Sequence, residues 1–448
     1  MTRFLGDKRE GTRVNSESEV VYRGTVAIDT HGCKLNQSDS ERLAREFAEA
    51  GYRIVHAKDS PDIYVLNTCT VTHVADAKAR KTLRMARGRS PNGTLVATGC
   101  YAQRAAGELY KSLGKANLVV GNSGKDNLVA MVLQQTQESA VSRRIAARRV
   151  GPNGVVGRTR AMVKIQEGCD QVCAYCIVPK VRGRERSVPP EVLLQQVESR
   201  IDEGYKEVVL TGTQLGSYGF DLTGMDLKTL VDLILQRTGI ERLRVSSLQP
   251  QEITSDLLRS WEDSRLCQHF HMPLQSGSDR ILKRMRRRYT TEIYLRTVEM
   301  IDRVFPKATV TADIIVGFPG EGEDEFDESL RFCEGIDFAD MHVFPYSVRP
   351  GTSAAFMGSK VEPWGKKERM ERMLSLARTK ASEHRNRVLG TVQQVLWEKE
   401  DVSQPGMYLG LTDNYLKVRT RSSTRLINRV VAARLVRYQG GVVDCELV

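Results

Sequence analysis

The sequence predicts an α/β fold class in three parts: an N-terminal parallel α/β sheet domain, a central partial (β/α)6 barrel and a C-terminal small β-barrel. Three observations carry this. Strand-length apolar runs alternate with helix-length amphipathic segments over most of the chain, which implies parallel sheets. Only six such units fall between residues 161 and 388, too few for a complete eight-fold barrel and suited to an open three-quarter one. After Gly390 the pattern changes to five short alternating strands with Gly and Asp-Asn turns, the signature of a small closed barrel.

At 448 residues the chain exceeds what one core supports. Residues 1–22 are polar and read as a disordered tail. Residues 23–135 hold the first sheet. Residues 25–30 form a strand followed by His31-Gly32-Cys33 and a helix over about 38–50. The unit recurs: a strand at 63–67 ends in Thr68-Cys69-Thr70 before a helix over about 74–87, and a strand at 95–99 ends in Cys100 before another helix. A fourth strand lies at 117–121. Residues 136–160 read as a basic linker, with Arg143, Arg144, Arg148, Arg149, Arg158 and Arg160 around Gly151-Pro152-Asn153-Gly154. Barrel strands are expected at 162–165, 207–210, 242–245, 269–273, 310–316 and 341–345, and a basic helix over about 364–389 leads to the last part, 389–448. There, strands are expected at 391–397, 407–411, 415–421, 429–436 and 442–447.

The chemistry concentrates in cysteines. Cys169, Cys173 and Cys176 stand at CxxxCxxC spacing just after an apolar run, and clustered thiolates select iron–sulfur clusters or zinc. Three is one ligand short of a closed site, which implies a distant fourth ligand or one iron left open. Cys33, Cys69 and Cys100 end three successive strands, so a parallel sheet delivers them to one rim. Both trios also admit a plainer reading as small buried residues, and the first as a zinc triad. Cys267, Cys333 and Cys445 read as inert core. An odd total of nine in a long chain argues against a secreted disulfide framework and for a reducing, cytoplasmic setting.

Hydrophobic residues at 40% and charged residues at 27% suit a packed globular chain, and no stretch has the length of a membrane span. A net charge of +12 favours a polyanionic partner, nucleic acid above all. The run Arg280, Lys283, Arg284, Arg286, Arg287 and Arg288, followed by Tyr289, reads as a backbone-neutralising and stacking contact to RNA. The glycine-rich loop 211–219, with Thr213, Gln214 and Gly216, can approach a small ligand closely.

From HGCKLNQSDSE at 31–41, NTCTVT at 67–72, TGCYAQ at 98–103, GCDQVCAYCIVP at 168–179, VGFPGE at 316–321 and FPYSVRPGT at 344–352, the chain resembles the radical S-adenosylmethionine methylthiotransferases. KRMRRRYT at 283–290, HVFPYS at 342–347 and LTDNYLKV at 411–418 are most similar to the branch acting on threonylcarbamoyladenosine of tRNA. His31 departs from the residue usual before the first Gly-Cys.

The resemblance implies that Cys169, Cys173 and Cys176 hold a 4Fe-4S cluster whose open iron binds S-adenosylmethionine, and that Cys33, Cys69 and Cys100 hold an auxiliary 4Fe-4S cluster that binds the sulfur to be inserted. An unactivated aromatic C–H bond resists acid–base attack, so the cofactors carry the hard steps and the protein orients and excludes. Tyr175 would pack beside the nucleoside of S-adenosylmethionine, and Thr213, Gln214 and Gly216 would line its pocket. The small barrel would be a TRAM-like module gripping tRNA. Position 2 of N6-threonylcarbamoyladenosine at position 37 is the implied target, with N6-isopentenyladenosine or a ribosomal-protein aspartate as alternatives. The last is disfavoured because ribosomal proteins are cationic like this chain. A sulfur donor and an electron donor such as flavodoxin or ferredoxin are implied partners.

Overall fold

The computed structural model describes residues 21–113, 117–136, 143–144 and 159–448. Most of the expected tail and linker lies outside them. Val21–Tyr22 and Arg143–Arg144, expected in those two segments, instead pair as short antiparallel strands.

The N-terminal sheet has five parallel strands in the order Tyr52–Ile54, Gly24–Thr30, Ile63–Thr68, Thr94–Gly99 and Asn117–Val120. Tyr52–Ile54 adds an edge to the expected four strands; three residues are too few to display a period. Alternate residues supply two cores, Val26, Val65 and Val96 on one face and Ala27, Leu66 and Leu95 on the other. The strand order reverses between Gly24–Thr30 and Ile63–Thr68, and in such sheets the ligand crevice opens beyond the carboxyl ends at that point.

Six parallel strands form the central part: Arg160–Lys164, Glu207–Thr211, Arg242–Val245, His269–His271, Thr309–Val316 and Phe338–Pro345. They make two three-stranded sheets, stitched where Leu248 N donates to His271 O (3.0 Å) and Cys267 N to Leu243 O (2.9 Å). One face of each strand joins the main core through Val163, Leu210, Leu243, Phe270, Ala312 and Met341. The alternate residues face the interior and include the polar Lys164, Glu207, Arg244, His269, Asp313 and His342. The first and sixth strands are the lips of an open barrel.

The N-terminal domain covers that opening and touches both lips. Helix Lys34–Glu49 packs on the first strand, where Met162 N donates to Glu41 Oε2 (3.2 Å). Beyond the sixth strand, Arg349 Nη1 meets Asp76 Oδ2 (2.7 Å) and Thr70 O (3.1 Å), and Ser347 Oγ accepts from His73 N (3.2 Å).

The last five strands, Val392–Glu400, Met407–Thr412, Lys417–Arg421, Arg429–Gln439 and Val442–Leu447, close into a barrel around Trp397, Val418 and Leu435. Its turn at 413–416 seals the amino ends of the central strands. Arg244 donates to Asp413 O (2.8 Å) and Thr412 O (3.3 Å), Thr309 Oγ1 donates to Asn414 O (2.6 Å), and Tyr415 stacks on His269 at 4.3 Å. Tyr415 holds a φ of 73°, a left-handed conformation costing of order 1 kcal/mol that these contacts offset. Beneath it Glu207, fully buried, pairs with Arg244 (2.7 Å) and Arg242 (2.8 Å).

Candidate active site

Both cysteine trios lie at the carboxyl ends of their strands. Cys33 precedes helix Lys34–Glu49 and is exposed, Cys69 follows strand Ile63–Thr68 and is buried, and buried Cys100 follows strand Thr94–Gly99. Burial first, then the neighbouring Cys100 and Cys33, pushes the Cys69 thiol up to about 12. Asn36 ties the rim together, donating to His31 O (2.7 Å) and Thr68 O (3.1 Å).

Cys169, Cys173 and Cys176 share the loop between Gln166–Glu167 and helix Val178–Arg182. All three are half-buried. Burial raises Cys176 to about 12 and Cys169 to about 11, with Cys173 adding to both. Each of Cys33, Cys100 and Cys169 follows a glycine at positive φ. A side chain at Gly99 would sit 2.5 Å from Thr68 O, and one at Gly168 1.9 Å from Arg184 O, so only glycine lets these loops close.

The spacing of the thiols tests what they can hold. Zinc bonded at about 2.3 Å to sulfur sets its ligands about 3.8 Å apart. Among the described residues neither trio has all three sulfurs within 4.8 Å of one another. As they stand, neither trio is drawn in to the spacing of one tetrahedral ion, and three thiols with one position open are a donor set that fits a cluster. Cations face both trios, as anionic thiolate clusters require. Arg182 is held charged near Cys100 and Cys33, and Lys125 lies near Cys100. Arg287 Nη1 donates to Cys173 Sγ at 3.2 Å.

The two sites adjoin. Cys100 packs against Ile177 and Val181, just beyond Cys176. Asn122 Nδ2 donates to Val181 O (2.7 Å) and lies 3.6 Å from Cys100 Sγ. Beneath this seam Asp39, fully buried, meets Lys125 (2.7 Å), Lys164 (2.9 Å) and Arg182 (3.5 Å). Burial alone would raise the Asp39 carboxyl, but the three cations outweigh it and hold the group well below the usual range. Arg182 and Lys164 also share Glu167 (2.6 and 2.8 Å).

The loop after the second barrel strand stands beside Cys169, Cys173 and Cys176. Gln166 Oε1 accepts from Thr213 N and Gln214 N, both at 2.9 Å. Thr213 Oγ1 is buried without a hydrogen-bond partner among the described residues, an orphan a bound ligand could satisfy. Gln214 donates to Glu252, and Gly216 lies so close that an added Cβ would fall 2.2 Å from Glu252 Cδ. Gln249 Nε2 bridges Gln214 Oε1 (2.6 Å) and Gln171 Oε1 (3.0 Å) of the cysteine loop. Tyr175 packs edge-on against Phe318 at 6.5 Å.

Sequence reasoning missed three members of this wall: Gln249, Glu252 and Arg287. The basic run that contains Arg287 does not act as one RNA-facing surface. Arg287 turns inward to Cys173 and Gln249, Arg280 pairs with Glu325, Arg284 donates to Pro319 O (3.0 Å), and Tyr289 is buried, its hydroxyl on Pro273 O (2.6 Å). A positive φ of 58° at Arg286 makes the bend that inverts Arg287, and helical spacing could not reveal it.

Residues 163–333 match the model of the Radical SAM superfamily, and residues 25–121 match the Uncharacterized protein family UPF0004. Threonylcarbamoyladenosine tRNA methylthiotransferase MtaB of Bacillus subtilis is 37% identical over 424 residues, 92% of this chain and 94% of its own. The chain belongs to the radical S-adenosylmethionine tRNA methylthiotransferases. The protein of the same name from Thermotoga maritima is 34% identical, over 94% of this chain and 97% of its own. A tRNA-2-methylthio-N(6)-dimethylallyladenosine synthase of Desulforamulus reducens is 33% identical, over 94% and 95%. The radical S-adenosylmethionine methyltransferase TsrM of Kitasatospora setae, at 14% identity, has the same fold with a TM-score of 0.55 over 74% of this chain and 77% of that one. This methylthiotransferase is therefore an enzyme that uses S-adenosylmethionine and a 4Fe-4S cluster to transfer a sulfur-containing group to tRNA.

Proposed function

We propose that the enzyme methylthiolates position 2 of N6-threonylcarbamoyladenosine at position 37 of tRNA, with two 4Fe-4S clusters. The observation that carries the two-cluster reading is the pair of incomplete cysteine trios, brought edge to edge from different domains across the Cys100–Ile177 contact. Cys169, Cys173 and Cys176 would hold the cluster that binds S-adenosylmethionine. Cys33, Cys69 and Cys100 would hold the other. Together they would supply one-electron cleavage of S-adenosylmethionine and a sulfur for insertion, chemistry that side chains alone lack.

The chain's own residues then do the positioning. Arg287 stabilises negative charge at Cys173 and locks Gln249, which orients Gln214 beside the cysteine loop. Thr213, Gln214 and Gly216 form the wall against which S-adenosylmethionine would lie, with Tyr175 covering its nucleoside. The N-terminal domain covers the side of the barrel and the turn at 413–416 its floor, which restricts water on both. The small barrel carries exposed Lys417, Arg421, Arg425 and Arg429, cations suited to a phosphate backbone.

For the substrate, support comes from the relatives: three threonylcarbamoyladenosine enzymes at 34–38% identity stand beside three dimethylallyladenosine enzymes at 32–33%. A tRNA substrate fits a cytoplasmic enzyme served by a sulfur donor and an electron donor such as flavodoxin or ferredoxin. Among the described residues no helix is long and apolar enough to cross a membrane. Mass spectrometry of nucleosides from total tRNA, with and without the gene, tests the reading. Loss of the 2-methylthio form of threonylcarbamoyladenosine is expected. Its persistence, or loss of the methylthiolated isopentenyladenosine instead, overturns the assignment.

A further inference from the structure

Outside the cysteines, one other constellation can ligate an ion. Among the described residues, His271, Asp313 and His342 alone bring three ligand atoms within 4.8 Å of one another. They stand on the fourth, fifth and sixth barrel strands, with Thr311 opposite His271 and Asp313 opposite His342, all on the interior face. His271 Nε2 lies 3.3 Å from Asp313 Oδ2, and His342 Nδ1 lies 3.2 Å from Asp313 Oδ1. These separations approach the ~3 Å edge of an octahedron built on metal bonds of about 2.1 Å.

The surroundings are those of a ligand set. Thr311 Oγ1 sits 2.9 Å from His271 Nδ1 and 2.9 Å from His269 Nε2, so an outer partner fixes the His271 ring and leaves Nε2 turned to the carboxylate. His269 is itself pinned by the stacked Tyr415. The three side chains are 15%, 28% and 56% exposed, so an ion can reach them from the chamber. Asp340 adds negative charge nearby, and Lys34 opposes it.

We infer that His271, Asp313 and His342 bind a divalent first-row metal ion inside the barrel, two imidazoles and one carboxylate on one side and the remaining positions open to the chamber. The site is separate from both cysteine trios and independent of which adenosine is the substrate. Mn2+ serves as the probe, because its binding is followed by electron paramagnetic resonance of the free ion. The full chain, with clusters reconstituted anaerobically and unbound iron removed, is titrated with MnCl2. One bound Mn2+ per chain is expected. His342→Ala, an exposed change, and Asp313→Asn, an isosteric one, should each weaken binding by about 100-fold, and Thr311→Val by about 10-fold, as loss of an outer partner does. Iron is measured in the same samples and should not change. Absence of Mn2+ binding, binding unaltered by His342→Ala and Asp313→Asn, or Mn2+ lost only together with iron overturns the assignment.

Discussion

The two cysteine trios reach the same seam by opposite routes. Cys169, Cys173 and Cys176 are neighbours on one loop, so local geometry brings them together. Cys33, Cys69 and Cys100 are spread over three strand ends, and only the register of a whole sheet unites them. A loop site needs its own few residues. A sheet site needs the domain, and through Asp39 and Arg182 it also needs the barrel.

The largest expected effect separates the trios by chemistry. Cys173→Ala should abolish S-adenosylmethionine cleavage, whereas Cys69→Ala should leave cleavage measurable and stop sulfur insertion. Each should remove about four of eight irons. Loss of cleavage in both variants would break the division of labour. Next, Asp39→Asn leaves Lys125 buried without its carboxylate, while Arg182 and Lys164 keep Glu167, and should cost about 3–5 kcal/mol in denaturant unfolding at pH 7.5. The sheet trio should then lose iron before the loop trio, and equal loss would contradict its greater dependence on the domain seam.

A smaller effect belongs to the loop side. Burial raises Glu252 from 4.5 to about 7, so in the folded chain it stays neutral where the unfolded chain is already charged. Its contribution to stability is full below pH 4.5 and declines as pH rises to about 7. Glu252→Gln should match the parent near pH 4 and exceed it by about 1–3 kcal/mol at pH 8. A constant difference across that window would show that the carboxyl does not titrate there. The smallest effect leaves both trios alone: Arg425→Ala should lower the salt slope of tRNA binding by about one, with iron unchanged. An unaltered slope would remove that residue from the RNA face.

The loop trio was legible because three cysteines within eight residues need no tertiary knowledge. The sheet trio was legible one step later, through the alternation that places strand ends on one edge. What stayed hidden was set by pairings without a period. Asp39 meets Lys125 and Lys164 across 86 and 125 residues of chain, and Arg287 reaches Cys173 across 114. The terminal barrel was readable from its turns and strands, but not its union with the central one. A polar interior capped by Tyr415 has no apolar signature, since the groups it satisfies are arginines and backbone carbonyls.

That cap sets a timetable for synthesis. Tyr415 leaves the ribosome about 240 residues after Cys176. At about 5–20 residues per second, the cysteine loop exists for some tens of seconds before the chamber around it has a floor. The N-terminal sheet can finish folding in that interval, and the catalytic barrel cannot. The loop at Cys169–Cys176 therefore has an interval of that length in which it is reached from below as well as from above, and the turn that carries Tyr415 ends it.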